Sequence, residues 1–346
     1  LNVIVLEKYP NVGDGASSRN GASVRLGGRV SPEAELAAKA IYDIWPTLNE
    51  ELDADVEYIC NGSLLLAHSE SQIAALDGRM SKDIKAGVPS RLIDGKEARE
   101  ICPYLSDYVE KAVWSAKDGQ ANPMVTTLAY YRAARRLGVR YITGENVVAL
   151  EKYQGRMRKV ITEAGNVYEA DRVVLAAGVN SRRIAKTVGL WIPFLKRVDE
   201  CLITEVQPPM FQIRLSSADG NFYGGQTNHG SFIFGGNTNL ERYEECYDDK
   251  PINTDKQTSD KCRSIAKFVP ALKNVKAGWL DSMVDRLPII QEINEVPGLI
   301  LACGFSGHGF ATGPAVGRVL SEIVMGEPTC VDVSALSYDR FKPTGT

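Results

Sequence analysis

Gly298-Leu-Ile-Leu-Ala-Cys-Gly-Phe-Ser-Gly-His-Gly-Phe-Ala-Thr-Gly-Pro314 is the stretch on which the reading of this chain turns. The short apolar run Leu299 to Ala302 reads as a buried strand. It breaks into Gly304, Gly307, Gly309 and Gly313, with His308 among them. Pro314 then opens a helical pattern through Val316, Val319, Leu320, Ile323 and Val324, closed by Gly326. Strand, glycine-rich turn and helix N-terminus together bring bare backbone N–H groups to an anionic or electron-rich ligand. An ordinary strand-to-helix turn reads the same way, so the rest of the chain must decide.

The chain start supplies a companion. Val3-Ile-Val-Leu6 is a β-branched run expected as a buried parallel strand. It ends in Glu7-Lys8, and an acid at such a strand tip is where a nucleotide-binding βαβ unit holds a ribose hydroxyl. That acid normally follows the glycine-rich turn by about 20 residues. The unit is therefore expected to begin roughly 30 residues further upstream, with a first strand whose loss leaves Val3–Leu6 and Val173–Leu175 short of a neighbour. Gly13 to Gly28 holds five glycines and three serines, which permit close backbone approach to a ligand.

Bulk properties narrow the class. The chain has 346 residues, 44% apolar and 24% charged, with a net charge of −3. That is long enough for two domains, and its mild acidity disfavours nucleic acid or anionic membrane as partner. No apolar run is long enough to span a bilayer, and Leu1 to Lys8 lacks the basic region of a signal peptide. Seven scattered cysteines without a C-x-x-C pair read as reduced cytoplasmic thiols, and three distant histidines suggest no metal site.

Between the two ends the pattern alternates. Ser31-Pro32 starts a helix expected to run to Trp45. Tyr58 to Ala67 reads as a hairpin turning at Asn61-Gly62. Helices are expected over Ser69–Ala86, Asp94–Ile101 and Met124–Leu137, with Asp118–Pro123 as a turn-rich connector. Val139–Thr143, Asn146–Leu150, Val160–Glu163 and Val167–Ala170 read as an antiparallel meander with turns at Gly155 and Gly165. Asp171–Gly178 is a further buried strand with a small-residue exit. Residues 195–285 hold short, partly aromatic strands and a helix at Asp255–Phe268.

Taken together, these segments resemble the FAD-dependent amine and amino-acid oxidoreductases of the D-amino acid oxidase type, in the branch with sarcosine oxidase β subunits, glycine oxidase, proline or opine dehydrogenases and the hydrogen cyanide synthase subunit. The resemblance rests on Val3–Lys8, Ser17–Arg25, Asp118–Pro123, Val173–Gly178, Gly224–Gly236 and Leu301–Gly326. It implies an α/β (α+β) fold: a discontinuous Rossmann-like FAD-binding domain (1–55, 118–190 and 286–346) and an inserted antiparallel-sheet substrate domain (56–117 and 191–285). It also implies that Glu7 binds the adenosine ribose, with Lys8 near the adenine and Val148 touching it through its backbone. Ser17, Ser18, Arg19, Asn20 and Gly21 would pass along pyrophosphate and flavin, and Ala176, Ala177 and Gly178 would lie beside the cofactor. Gly304, Gly307, His308, Gly309, Phe310, Ala311 and Thr312 would meet the flavin's pyrimidine side, where backbone donors and the helix dipole favour negative charge.

By the same resemblance Arg25 faces the substrate carboxylate, a role suited to a planar fork. His308 lies against flavin or substrate, and Tyr223, Gln226, Asn228 and His229 line the pocket. Monomeric sarcosine oxidases carry a lysine where this chain has Ala311, and attach FAD through a cysteine where it has Gly278. The expectation is therefore non-covalent FAD in a relative of the heteromeric dehydrogenase subunits. The implied reaction is hydride transfer from the carbon beside an amino-acid nitrogen to flavin, giving an imine. No cysteine cluster offers an iron–sulfur centre, so onward electron transfer calls for a partner subunit, with a homo-oligomer as the other arrangement. Competing readings are a cofactor-less structural subunit and an NAD-linked dehydrogenase; the latter explains neither the Gly304–Gly313 turn nor the aromatic insertion.

Overall fold

The computed structural model describes residues 1–18, 20–29, 31–193, 196–242, 255–275, 277–283, 288–305 and 309–341. The largest element is an eight-stranded mixed sheet. Its spatial order is Ala277–Met283, Lys196–Thr204, Phe232–Arg242, Tyr223–Gln226, Arg214–Ser217, Ser63–Ala67, Lys111–Ser115 and Ser90–Asp94. Ser63–Ala67 pairs in parallel with Arg214–Ser217 and antiparallel with Lys111–Ser115. One face is aromatic and dry: Leu64, Leu66, Leu215, Phe222, Phe232 and Phe234 pack beneath the helix Asp255–Phe268. The opposite face carries Ser63, Arg214, Ser216 and Tyr223, because side chains alternate along a strand.

Smaller parallel pairs carry the strand tips. Ile4–Glu7 pairs with Arg140–Thr143, and Val173–Leu175 pairs with Leu299–Cys303. Leu299–Cys303 is buried throughout, as its continuous apolar run implies. Among the described residues Ile4–Glu7 and Val173–Leu175 each keep one sheet neighbour. Their second edges are open, and Val3, Ile4 and Val174 are 39%, 38% and 40% exposed.

Local chemistry explains most boundaries. Ser69 caps Glu70–Lys85, Asp94 caps Gly95–Ile101 and Asn122 caps Pro123–Arg136, each side chain accepting from backbone N–H groups of the first turn. Asp255–Phe268 forms as read.

Four expectations change. Tyr58–Ala67 is not a hairpin: Ile59 bridges to Gln120, and Gly62, at φ +83°, donates its N–H to the Asp118 carbonyl. The chain bends there instead of reversing, so Ser63–Ala67 finds distant partners. Val139–Thr143 leaves the meander, because Arg140–Thr143 completes the parallel pair with Ile4–Glu7. The meander itself is Val147–Tyr153, Arg156–Thr162 and Val167–Glu169. The helix from Ser31 ends at Lys39 and widens into a π turn at Ala40–Ile44 before a 3₁₀ turn at Trp45–Thr47. Finally, the C-terminal helix begins at Gly309, and Pro314 lies inside it. A proline there removes the N–H that would serve the Phe310 carbonyl.

Candidate active site

Glu7, Ala176 to Gly178 and Gly304 lie at or just past the carboxyl ends of parallel strands, the edge at which open α/β sheets bind ligands. Glu7 ends Ile4–Glu7, and its Oε1 accepts from Tyr9 N–H at 2.9 Å. Lys8 Nζ lies 4.5 Å from the Tyr9 ring centroid. Ala176, Ala177 and Gly178 follow Val173–Leu175, with Ala176 and Gly178 exposed. Gly304 follows Leu299–Cys303 at φ +76°, a conformation that favours glycine. Val148 is half-buried in the meander strand. Arg19, Gly307 and His308 lie outside the described residues.

Gly309, Phe310, Ala311 and Thr312 form the first turn of the C-terminal helix. Ala311 and Thr312 are buried. The Trp45 indole N–H donates to the Ala311 carbonyl at 2.9 Å. Trp45 is itself buried between Tyr58 and Phe310, with ring centroids 5.3 and 5.2 Å away.

The serine-rich loop is shaped by Asn20. Its Nδ2 donates to the Ala16 and Ser17 carbonyls at 3.2 and 2.9 Å, and its Oδ1 accepts from Ala22 N–H at 3.0 Å. Ala22 is thereby held at φ +61°, an uncommon conformation for a residue with a Cβ. The residues fit a polar ligand here. The Ser18 hydroxyl is buried without a hydrogen-bond partner among the described residues. A Cβ on Gly13 would sit 2.6 Å from that hydroxyl, so the loop closes only around glycine.

Arg25 lies where this loop meets the polar face of the large sheet. It lines a narrow cavity of about 20 Å³ with Ser23, Ser63, Asp118, Arg214 and Tyr223, enough for about one water-sized polar group. Arg25 is half-buried, and its guanidinium makes no hydrogen bond or ion pair among the described residues. Its neighbours are engaged. Arg29 Nη1 lies 3.0 Å from Glu33 Oε1, and its Nε and Nη2 each donate to the Arg25 carbonyl at 3.2 Å. Arg79 Nε donates to Asp83 at 2.9 Å. Arg214 donates to Ser23 Oγ, Gln120 Oε1 and the Gly21 carbonyl.

Burial dominates the titration of this cluster. It brings the Arg29 guanidinium down to about 9, against the pull of Glu33, so Arg29 stays charged at neutral pH. It raises the Glu33 carboxyl despite Arg29 and Arg25, and lowers Arg79, which Arg25 lowers further. Among the described residues, four arginines (25, 29, 79 and 214) face three carboxylates (Glu33, Asp83 and Asp118), leaving one positive charge in excess. That excess charge favours an anionic group beside Arg25.

The proposed pocket-lining residues separate. Tyr223 shares the cavity with Arg25 and packs over Gly21, where a Cβ would lie 2.7 Å from its Cε2. Gln226, three residues along the same strand, points to the opposite face and does not reach Arg25. Its amide is spent on the loop before the sheet, donating to the Gln207, Pro208 and Gly230 carbonyls and accepting from Met210 N–H. Gln226 and Asn228 instead line a separate cavity of about 580 Å³ with Trp114, Met210 and Phe211. Among the described residues no charged side chain lines that larger cavity, which disfavours a zwitterion there. His229 is largely exposed, with Nε2 3.1 Å from Glu57 Oε1. Arg214, Asp118 and Trp45 were not singled out as site residues from the sequence. The one available signal was a lone arginine in the strand Arg214–Ser217.

The model of the FAD-dependent oxidoreductase family matches residues 1–323. The chain belongs to that family. This oxidoreductase is 26% identical over 356 residues to the sarcosine oxidase β subunit of Rhizobium meliloti (strain 1021), covering 99% of this chain and 82% of the relative. It is 26% identical over 278 residues to the hydrogen cyanide synthase subunit HcnC of Pseudomonas aeruginosa, covering 77% and 65%. Its fold matches the crystal structure of L-proline dehydrogenase from P. horikoshii with a TM-score of 0.88 and 26% identity, over 98% of this chain and 91% of that one. The fold class and the FAD dependence read from the sequence therefore hold. Among the described residues no helix is long and apolar enough to cross a membrane.

Proposed function

We propose that this oxidoreductase oxidises the C–N bond of a primary or secondary amino acid of the sarcosine, glycine, proline or opine kind, giving an imine that hydrolyses. Arg25 carries the reading: a half-buried guanidinium with no side-chain partner among the described residues, in a cluster with one excess positive charge. A buried cation of that kind is completed by a carboxylate.

FAD, held without a covalent bond, supplies the two-electron acceptor. Ser17, Ser18, Gly21, Ala176 to Gly178 and the first turn of the C-terminal helix are the residues that would hold it. The division into a discontinuous cofactor domain and an inserted substrate domain follows the separation between the strand tips and the eight-stranded sheet. Arg25 binds the carboxylate and so fixes the amine-bearing carbon, while Tyr223 walls the same space. Hydride loss from the carbon beside nitrogen needs the nitrogen lone pair, so the substrate amine must be neutral to react. Reduction should accelerate as pH rises through the bound ammonium's pKa; a pH-independent reductive half-reaction would count against this. The β-subunit name of one relative supports a heteromeric assembly, and onward electron transfer would call on redox centres held by a partner. Scattered free cysteines support a cytoplasmic setting.

The direct test is the visible spectrum of the purified protein, followed by anaerobic addition of amino acids. Flavin bands bleached by one of these amino acids support the reading. A folded, colourless protein, or bands that none of them bleaches, contradicts it.

A further inference from the structure

Among the described residues the Arg25 side chain has no anchor of its own, yet the backbone that carries it is held at successive points by buried acids. Asp118 is fully buried and belongs to the turn-rich connector before Pro123. Its Oδ1 accepts from Leu26 N–H at 2.7 Å and Gly27 N–H at 3.3 Å. Its Oδ2 accepts from the Ser63 hydroxyl, on the large sheet, at 2.6 Å. Asp83, from the helix Glu70–Lys85, takes the next N–H, that of Gly28, at 2.7 Å.

We propose that Asp118 is a positioning residue for substrate recognition: its carboxylate locks the Leu26–Gly27 backbone to Ser63 and so fixes the direction of the Arg25 fork. The proposal rests on the reading of Arg25 as the carboxylate site. Burying a carboxylate without a direct ionic partner is costly unless hydrogen bonds satisfy it. Here two backbone amides and one hydroxyl do so, and all three belong to elements that frame Arg25. A loop of small residues such as Arg25-Leu-Gly-Gly28 would otherwise sample many conformations. A fork that must make two parallel bonds loses affinity when its base moves. Position and charge make opposite predictions. As a mere neighbouring negative charge, Asp118 would weaken anion binding, and its removal would tighten it.

The test is titration of the FAD-loaded protein with acetate, read from the perturbation of visible flavin absorption, alongside the FAD dissociation constant. Asp118→Ala should weaken acetate about tenfold or more, by loss of bonds to a charged acceptor. Asp118→Asn, which keeps an acceptor for Leu26 and Gly27, should recover part of that loss. Ser63→Ala should weaken acetate about threefold and keeps the test alive if Asp118→Ala does not fold. FAD affinity should stay within about twofold throughout, a split that a general loss of structure would not give. Tighter or unchanged acetate binding in Asp118→Ala, or in Ser63→Ala if that variant alone folds, overturns the proposal. Arg25→Met separates the two layers: if it still binds acetate as the parent does, the carboxylate site itself is wrong.

Discussion

The loop around Arg25 and the first turn of the C-terminal helix are both buried, and different forces hold them. The loop is pinned by charge. Asp118 and Asp83 take successive backbone N–H groups, while the Arg29–Glu33 pair closes onto the Arg25 carbonyl. The helix turn is pinned by packing. Ala311, Ala315, Val316 and Val319 sit in one apolar cluster with Trp45, whose indole supplies one hydrogen bond to the Ala311 carbonyl. A buried charge network tolerates no missing partner, because whatever remains is a stranded charge. An apolar cluster yields by degrees. Among the described residues Arg25 stands out within the first region as the charge without a partner, which is why the substrate site is proposed there.

Removing one member of each region exposes the contrast. Arg29→Leu should cost about 3–5 kcal/mol, because the buried Glu33 carboxylate loses its ion-pair partner 3.0 Å away. Burial already raises the Glu33 carboxyl above its ordinary value, and losing Arg29 raises it further. An acid with a raised folded-state pKa stabilises at low pH and loses that contribution as pH rises through it. The deficit should therefore shrink in acid and be largest at neutral pH in denaturant unfolding. The double variant Arg29→Leu with Glu33→Leu should recover most of it. A deficit independent of pH would mean that charge does not hold the loop.

Trp45→Phe keeps a ring between Tyr58 and Phe310 but removes the indole bond to the Ala311 carbonyl, which stays in the helix ladder, for about 0.5–1.5 kcal/mol. The loss should not vary between pH 5 and pH 8, unlike that of Arg29→Leu. A cost equal to that of Arg29→Leu would erase the distinction.

The far end of the same helix offers a smaller electrostatic control. Glu322 accepts from Cys330 N–H at 2.7 Å and from Arg318 Nε at 3.1 Å, and the Cys330 bond leads in holding its carboxyl below the ordinary 4.5. A lowered acid contributes stability above its unfolded pKa and loses it as pH falls through the folded one. Glu322→Gln should cost about 1 kcal/mol at neutral pH. The gap from the parent should close below pH 4.5, the opposite sense to Arg29→Leu. Thermal melts across that range check it.

The two regions also differ in how far they could be read from sequence. The buried strand Leu299–Cys303, the capped helices after Ser69, Asp94 and Asn122, and the loop with Arg25 are local patterns and were legible. Pairings between distant segments were not. Asn61-Gly62 carries a turn signature, but its hydrogen bond goes to Asp118, and Trp114 packs over Gly62. Val139–Thr143 belongs with a strand more than 130 residues earlier. Pro314 pointed to a helix start, whereas the turn before it is helical and tied to Trp45, 266 residues away. Tyr223 and Gln226 looked like neighbours in one pocket, and strand alternation alone could have parted them. The buried acids behind Arg25 come from three separate segments, so no local motif announces them.

The central claim is that Arg25 receives the substrate carboxylate. The most direct measurement is steady-state kinetics of Arg25→Met on whichever amino acid bleaches the parent enzyme. Removing uniform binding raises KM and leaves kcat nearly intact. KM should be about a hundredfold higher, with kcat within about threefold of the parent, for loss of a two-bond charged contact. An unchanged KM would contradict the claim.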